Sequence, residues 1–140
     1  MVTTYFLNLI AGNIFGSKKD PAIPQTYWLG LSSTAPSVDG TGATEPSNVG
    51  TAYARIQLTG ISEPTAGEVT NSETLSFPES TADWGNMLYY LVYDSQTGGN
   101  LCLYDELENS RRVEINTVVT FKPQTLKFHV SNDPHTDVGG

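Results

Sequence analysis

Cysteine is nearly absent from this sequence, because Cys102 is the single thiol among 140 residues. One thiol cannot form a disulfide within the chain, so the predicted fold does not depend on oxidation. Cys102 lies in an apolar run, where a small buried side chain is expected rather than a reactive thiol. A chain of this length is expected to form one domain that needs neither a disulfide nor a metal.

Positive charge is also scarce, with seven Lys and Arg residues against fifteen Asp and Glu residues and a net charge of −8. The basic residues are scattered, apart from the adjacent pairs at 18–19 and 111–112. A surface of this kind repels phosphate groups, so nucleic acid is not expected as a partner.

The sequence lacks a long hydrophobic run. A membrane-spanning helix needs about 20 mostly apolar residues, whereas the N-terminal apolar stretch is shorter and is interrupted by Asn8, Gly12 and Asn13. A signal peptide places basic residues before its apolar segment, but the first charged residue here, Lys18, follows it. We therefore expect no membrane insertion and a chain that is made and kept in soluble form.

Catalytic motifs are missing as well. H-E-x-x-H, C-x-x-C and Gly-x-Ser-x-Gly do not occur, and neither His129 nor His135 has a partner at zinc-ligand spacing. Asp94, Asp105 and Glu106 flank the central hairpin and are the carboxylates available for glycoside hydrolysis. Surface carboxylates that keep an acidic protein soluble are the simpler explanation of these residues. We predict a protein that is not an enzyme and has no catalytic residues, with a glycan-degrading enzyme as a third alternative.

Calcium is the metal for which oxygen ligands are available. Asp39 in a D-G-T-G stretch, and the acidic group of Asp105, Glu106 and Glu108, offer carboxylates. Neither follows a recognisable ligand loop, so we interpret these residues as parts of turns. The Gly-rich pieces lack the strand-to-helix context of a phosphate-binding loop. No metal site and no cofactor are therefore predicted.

A helix is predicted over residues 3–15, with Thr3 or Thr4 at its start and Gly16 at its end. A helix this short persists only if its apolar side chains dock on another surface. They pack either on the chain's own sheet or against a neighbouring subunit, and the sequence leaves both open. The candidate assembly contacts are Phe6, Leu7, Ile10 and Ile14.

The rest of the chain has the Thr-, Ser- and Gly-rich texture of a β protein. The run at 87–93 is apolar on both faces, which is typical of a central strand, and a Gly-containing loop joins it to a second hairpin arm. We predict an all-β fold: an antiparallel β-sandwich, jelly-roll-like with about eight strands, and one short N-terminal helix. A closed barrel is the nearest alternative. The predicted strands cover residues 26–33, 53–58, 68–71, 74–77, 87–94, 100–105, 112–115, 118–122 and 125–130. The predicted domains are a docking helix at 1–17, the β-sandwich at 18–130 and a tail at 131–140.

Two loops are candidates for ligand or receptor binding. The stretch 32–51 is nearly devoid of large apolar residues, and loops this long in a compact domain are usually functional or disordered. Together with 94–100 it is expected at one end of the sandwich. Both loops are candidates because loops on a rigid scaffold commonly carry binding. The candidate residues are Asp39, Thr41, Glu45, Asn48, Gln96 and Asn100.

A sugar-binding site also needs an exposed aromatic ring. Trp28, Tyr53 and Trp84 are the candidates, although each ring taken singly is better explained as a core or subunit contact. Arg55 falls on the polar face of its strand, so we interpret it as a solvated residue, with a ligand clamp as the alternative. Gly30 is expected to leave space for the Trp28 indole.

In their order, these segments resemble a family of small phage virion proteins that are usually labelled tail fibre proteins. The resemblance covers about residues 5–130. Its most specific pieces are TAPSVDGTGATEPS followed by YARI, and DWG followed by TGGNLCLY. The strand segment TYWLGLSSTAP and the closing pair VVTFKPQTLKFHV also match the family's order.

The resemblance implies a non-enzymatic structural component of a bacteriophage virion, tail fibre-like or capsid-decorating, that is made in the host cytoplasm. Its implied partners are other virion proteins and further copies of itself in a homo-oligomer, with a trimer favoured. The alternative is a receptor- or carbohydrate-binding module that is displayed on the particle and contacts a host-surface glycan.

Overall fold

The computed structural model describes residues 1–16 and 21–129, and of His129 it describes the backbone alone. The described chain forms two compact units. The larger consists of Met1–Leu58 with Phe77–Val119, and the smaller of Thr59–Ser76 with the described residues that follow Val119. The predicted tail at 131–140, with His135, lies outside the described residues, and the predicted domain boundaries stay a prediction.

The described part of the chain contains one helix and eight strands. They are α1 (Thr4–Phe15), β1 (Trp28–Ser32), β2 (Ile56–Gln57), β3 (Glu68–Thr70), β4 (Leu75–Ser76), β5 (Gly85–Tyr93), β6 (Leu101–Val113), β7 (Thr120–Phe121) and β8 (Lys127–His129). All strand pairs are antiparallel. The predicted all-β class with a single N-terminal helix is confirmed, and the sandwich remains its predicted arrangement. Among the described residues, no helix has the length and apolar character needed to cross a membrane.

The larger unit contains a four-stranded sheet in the order β2-β1-β5-β6. The predicted central strand is confirmed, because β5 pairs with β1 on one side and with β6 on the other. Its side chains Met87, Tyr90, Leu91 and Val92 are buried. This burial explains why the run has no polar face.

Strand β6 is longer than the sequence predicts. We predicted an arm that ends at residue 105 and a separate strand at 112–115, whereas β6 continues from Leu101 to Val113. Met87 pairs with Arg111 and Tyr89 with Glu106, so residues 107–110 form a bulge opposite one residue of β5. The polar bulge resembles a turn in sequence, but the strand pairing resumes after it.

The helix α1 begins and ends where the sequence predicts. The side chain of Thr3 accepts a hydrogen bond from the Phe6 N–H (3.3 Å), and Gly16 ends the helix in the left-handed region at φ 79°. The buried face of the helix consists of Leu9 and Gly12. Just before the helix, Val2 bridges to Leu103 on the outer edge of β6.

The smaller unit contains two two-stranded ribbons, β3 with β8 and β4 with β7. Asn71 is fully buried in this unit. Its Nδ2 donates to the Lys122 carbonyl (2.9 Å), and its Oδ1 accepts from the Leu126 N–H (3.0 Å). One amide side chain therefore satisfies the backbone of the turn between β7 and β8.

Candidate functional site

An ion pair between a buried arginine and a half-buried glutamate joins the long loop to the residue that precedes β2. The Arg55 Nε lies 3.0 Å from Glu45 Oε2, and its Nη2 lies 2.7 Å from Glu45 Oε1. Arg55 is 8% exposed. The prediction of a solvated Arg55 was wrong, because the polar face of this segment is covered by two loops instead of water.

The same guanidinium holds the loop between β5 and β6. Its Nη1 donates to the backbone carbonyls of Ser95 (2.8 Å) and Gly98 (2.7 Å). Its central carbon lies 3.4 Å from the centroid of the Tyr93 ring, which adds a cation–π contact. Arg55 therefore connects three segments that are far apart in sequence.

Tyr53 extends this network into the sheet. Its hydroxyl donates to Glu45 Oε2 (2.5 Å) and accepts from the Leu31 N–H (3.1 Å). A Cβ on Gly30 would lie 2.9 Å from both the Glu45 Oε2 and the Tyr53 hydroxyl. Gly30 thus makes room for the network and not for the Trp28 indole, so that prediction was wrong.

Burial and charge set the protonation of the network. Burial, followed by the negative charge of Glu45 and its hydrogen bond, raises the pKa of Tyr53. Burial alone lowers the pKa of Arg55, but the hydrogen bonds and the charge of Glu45 outweigh it and the pKa is raised. Tyr53 therefore stays neutral and Arg55 stays charged at neutral pH.

A cleft of ≈ 360 Å³ opens beside this network, lined by residues 45–48, 53–55 and 96–98. It brings together the two loops predicted to bind a ligand. Of the candidate residues, Glu45, Asn48 and Gln96 line the cleft. Asn48 and Gln96 are exposed, and the Gln96 Nε2 donates to the Arg55 carbonyl (3.3 Å).

The other three loop candidates are not among the residues that line the cleft. Asp39 accepts hydrogen bonds from the N–H (3.0 Å) and hydroxyl (2.6 Å) of Thr41. The hydrogen bond from the Thr41 side chain, with that from its N–H, lowers the pKa of Asp39. Asn100 is bonded through its N–H and its amide to Asp94. These residues shape turns, which is the interpretation that the sequence favoured for the Asp39 stretch.

Two of the three candidate sugar platforms are buried. Trp84 donates its indole N–H to the Thr51 carbonyl (2.8 Å) and packs edge-to-face on Tyr53, with centroids 5.2 Å apart. The rings of Trp84 and Tyr53 therefore belong to the core. Trp28 is half-buried in β1.

The apolar residues of α1 fall on two faces. Phe6 packs edge-to-face on Tyr27, with centroids 5.9 Å apart, and Ile10 is half-buried. Leu7 is 55% exposed, Ile14 64% and Phe15 83%. Ala11 is exposed as well. We call Leu7, Ala11, Ile14 and Phe15 the apolar stripe. Their spacing of i, i+4, i+7 and i+8 places them on one helix face.

The candidate contacts predicted on α1 are therefore divided between packing within the chain and the apolar stripe. Phe15 was missed, although its spacing from Leu7 is visible in the sequence. The pairing of Glu45 with Arg55 was also missed. No local pattern links two residues ten positions apart across a loop.

Metal ligands do not converge in the described part of the chain, where no group of three or more His, Cys, Asp or Glu side chains could hold an ion. Asp105 and Glu106 are exposed on β6, and Asp94 is bonded to Asn100. The absence of catalysis stays a prediction.

Comparison with known proteins gives the family. No curated protein matches the chain significantly. The family model Gp80, described as "Podophage GP4 fiber I protein gp80", matches residues 1–129. The resemblance to phage tail fibre proteins is confirmed, and a fibre family implies a structural component located in the virion. The chain belongs to the Gp80 family of podophage fibre proteins.

Proposed function

We propose that this protein is a non-enzymatic part of a phage fibre and that its copies associate through the apolar stripe of α1. The observation that carries this proposal is the exposure of Leu7, Ile14 and Phe15 on one face. Contiguous exposed apolar side chains commonly mark interaction surfaces. A homotrimer is the state that the resemblance to fibre proteins favours, and most soluble homo-oligomers have closed symmetry.

Charge favours the same surface. Identical copies with a net charge of −8 repel each other. Residues 1–16 contain no charged side chain, so contact through α1 brings no like charges together. Burial of each large side chain of the stripe contributes about 1.5–3 kcal/mol.

The test is the mass of the protein in solution, measured by light scattering. We expect an oligomer for the natural chain and a folded monomer for the Ile14→Glu/Phe15→Glu double variant. Val49→Glu is the matched control, since Val49 is 81% exposed, lies off the helix and receives the same type of charge. A natural chain that is monomeric, or a double variant of unchanged mass, would refute the proposal.

The second candidate function is receptor binding by the cleft, with a host-surface glycan as the ligand. It is supported by the convergence of residues 45–48 and 96–98 on one cavity. Arg55 bonds both loops and keeps their spacing fixed, as a binding site on a rigid scaffold requires. We expect the protein to bind host cells, and Gln96→Ala to weaken that binding. No binding to cells or to a glycan array would rule this function out.

A further inference from the structure

We propose that the cleft selects an uncharged, hydroxyl-rich ligand, a neutral saccharide, and that Arg55 is a positioning residue instead of an anion-binding group. The proposal rests on the binding function proposed above and adds the chemical class of the ligand. It follows from where the hydrogen-bonding groups of Arg55 and Glu45 point.

Four of the five N–H donors of Arg55 are directed at the protein. Nε and Nη2 bond the Glu45 carboxylate, Nη1 bonds the carbonyls of Ser95 and Gly98, and the ring of Tyr93 covers the guanidinium. An anionic ligand needs a free fork of N–H groups. Here it would have to displace Glu45, which bonds the guanidinium through both oxygens.

The charges of the cleft therefore cancel. Arg55 and Glu45 are the two charged residues among those that line it. The chain as a whole carries −8, so the surrounding field opposes the entry of an anion. A neutral ligand meets no such barrier.

The remaining lining groups suit hydroxyls. Within the described chain, the amide of Asn48 and the hydroxyl of Thr97 have no hydrogen-bond partner, and Gln96 keeps its carbonyl oxygen free. These groups provide donors and acceptors, and a sugar hydroxyl uses both. Pro46 and Ala54 add apolar surface for C–H faces. A cavity of ≈ 360 Å³ lies within the range of small-molecule sites.

The experiment is an NMR titration of the full chain that follows backbone amide shifts. The ligands are two matched pairs, glucose with glucuronic acid and galactose with galacturonic acid, which differ in the oxidation of one terminal carbon. We expect at least one neutral sugar to shift the amides of Asn48, Gln96 and Thr97. Its acidic counterpart is expected to bind at least about 10-fold more weakly, a difference of about 1.4 kcal/mol.

Variants separate binding from folding. Asn48→Ala and Gln96→Ala are expected to weaken the neutral sugar about 5-fold or more, a loss typical of a hydrogen bond. Asn109→Ala, which removes an exposed amide outside the cleft, is expected to leave the affinity unchanged.

Glu45→Gln tests the charge argument directly. It leaves the charge of Arg55 uncompensated, so the preference should move at least about 10-fold toward the acidic sugar. A purely structural role of Glu45 would weaken both sugars alike, and that outcome would overturn the charge argument. Preference of the natural chain for the acidic sugar would overturn the ligand class and leave receptor binding intact. Cleft amides that respond to no sugar, in a chain that also binds no cells, would overturn both.

Discussion

Gly30 lies beneath the hydrogen-bonded group of Glu45, Tyr53 and Arg55. A Cβ at this position would approach Glu45 Oε2 and the Tyr53 hydroxyl to 2.9 Å. Contacts this short force buried neighbours to move. The absence of a side chain in the middle of β1 is therefore what admits a charged pair onto this face of the sheet.

We expect Gly30→Ala to lower the free energy of unfolding by about 1–3 kcal/mol, measured by urea denaturation. Tyr53→Phe removes one of the two clashing oxygens. The Gly30→Ala/Tyr53→Phe double variant should therefore lose less stability than the sum of the two single variants. Strict additivity would contradict this account of Gly30.

Several groups of the larger unit have raised pKa values, among them Cys102 and three tyrosines. Burial, with a smaller effect of Asp94, raises the pKa of Cys102 from 9.0 to about 12. Burial raises the pKa of Tyr27 from 10.0 to about 12, and also raises those of Tyr53 and Tyr90. Such groups hold their protons more tightly in the folded state. Their contribution to stability is full below the unfolded pKa and is lost as the pH rises toward the folded pKa.

We therefore expect the free energy of unfolding to fall as the pH rises from about 9 to about 12, measured by urea denaturation at a series of pH values. In Cys102→Ala the fall should begin later, because the tyrosines have the higher ordinary value of 10.0. If stability does not change across this range, burial does not raise the pKa values of these groups as described.

At the scale of elements, Thr3 connects α1 to β6. Its hydroxyl accepts from the Phe6 N–H and donates to the Leu101 carbonyl (2.7 Å), and the residue is fully buried. The Thr3 hydroxyl thus satisfies a backbone N–H at the start of α1 and a backbone carbonyl of β6. The Thr3 side chain therefore contributes to the docking of α1 on its own sheet, together with the bridge between Val2 and Leu103.

Thr3→Ala is expected to cost about 2 kcal/mol in unfolding free energy, the sum of a lost N-cap and a lost buried hydrogen bond. Thr4→Ala is the matched control, since Thr4 is exposed one position later, and it should cost much less. Thermal unfolding measures both. Equal losses would show that Thr3 has no special role.

The ends of α1 could be predicted because caps are local signals: a threonine before the apolar run and Gly16 after it. The same holds for the central position of β5, which follows from its apolar faces. The length of β6 could not be predicted, because the bulge at 107–110 depends on the pairing of β6 with β5. The burial of Arg55 could not either, since it depends on carbonyls about 40 positions away, at Ser95 and Gly98.

At the scale of the whole molecule, charge and assembly oppose each other. The chain carries −8, while the proposed contact surface in residues 1–16 carries none. Repulsion between copies therefore acts from outside the contact and is weakened by salt. An interface built on ion pairs would behave in the opposite way.

We expect the association constant to increase when NaCl is raised from about 50 mM to about 500 mM, which shortens the screening length several-fold. Sedimentation equilibrium at both concentrations measures it, with Ile14→Glu/Phe15→Glu as the non-associating control. Weaker association at high salt would point to charged contacts and away from the apolar stripe.

Arg55 holds the β5–β6 loop through hydrogen bonds to the main-chain carbonyls of Ser95 and Gly98, and not through bonds to side chains of the loop. Substitutions at positions 96 and 97 leave those bonds untouched, whereas Gly98 and Gly99, at φ 60° and 75°, are constrained by their backbone. In the proposed receptor-binding role, the residues that fix the shape of the loop are thus different from those that would contact the ligand. Positions 96 and 97 could then vary to suit another host surface without a change in the fold that carries them.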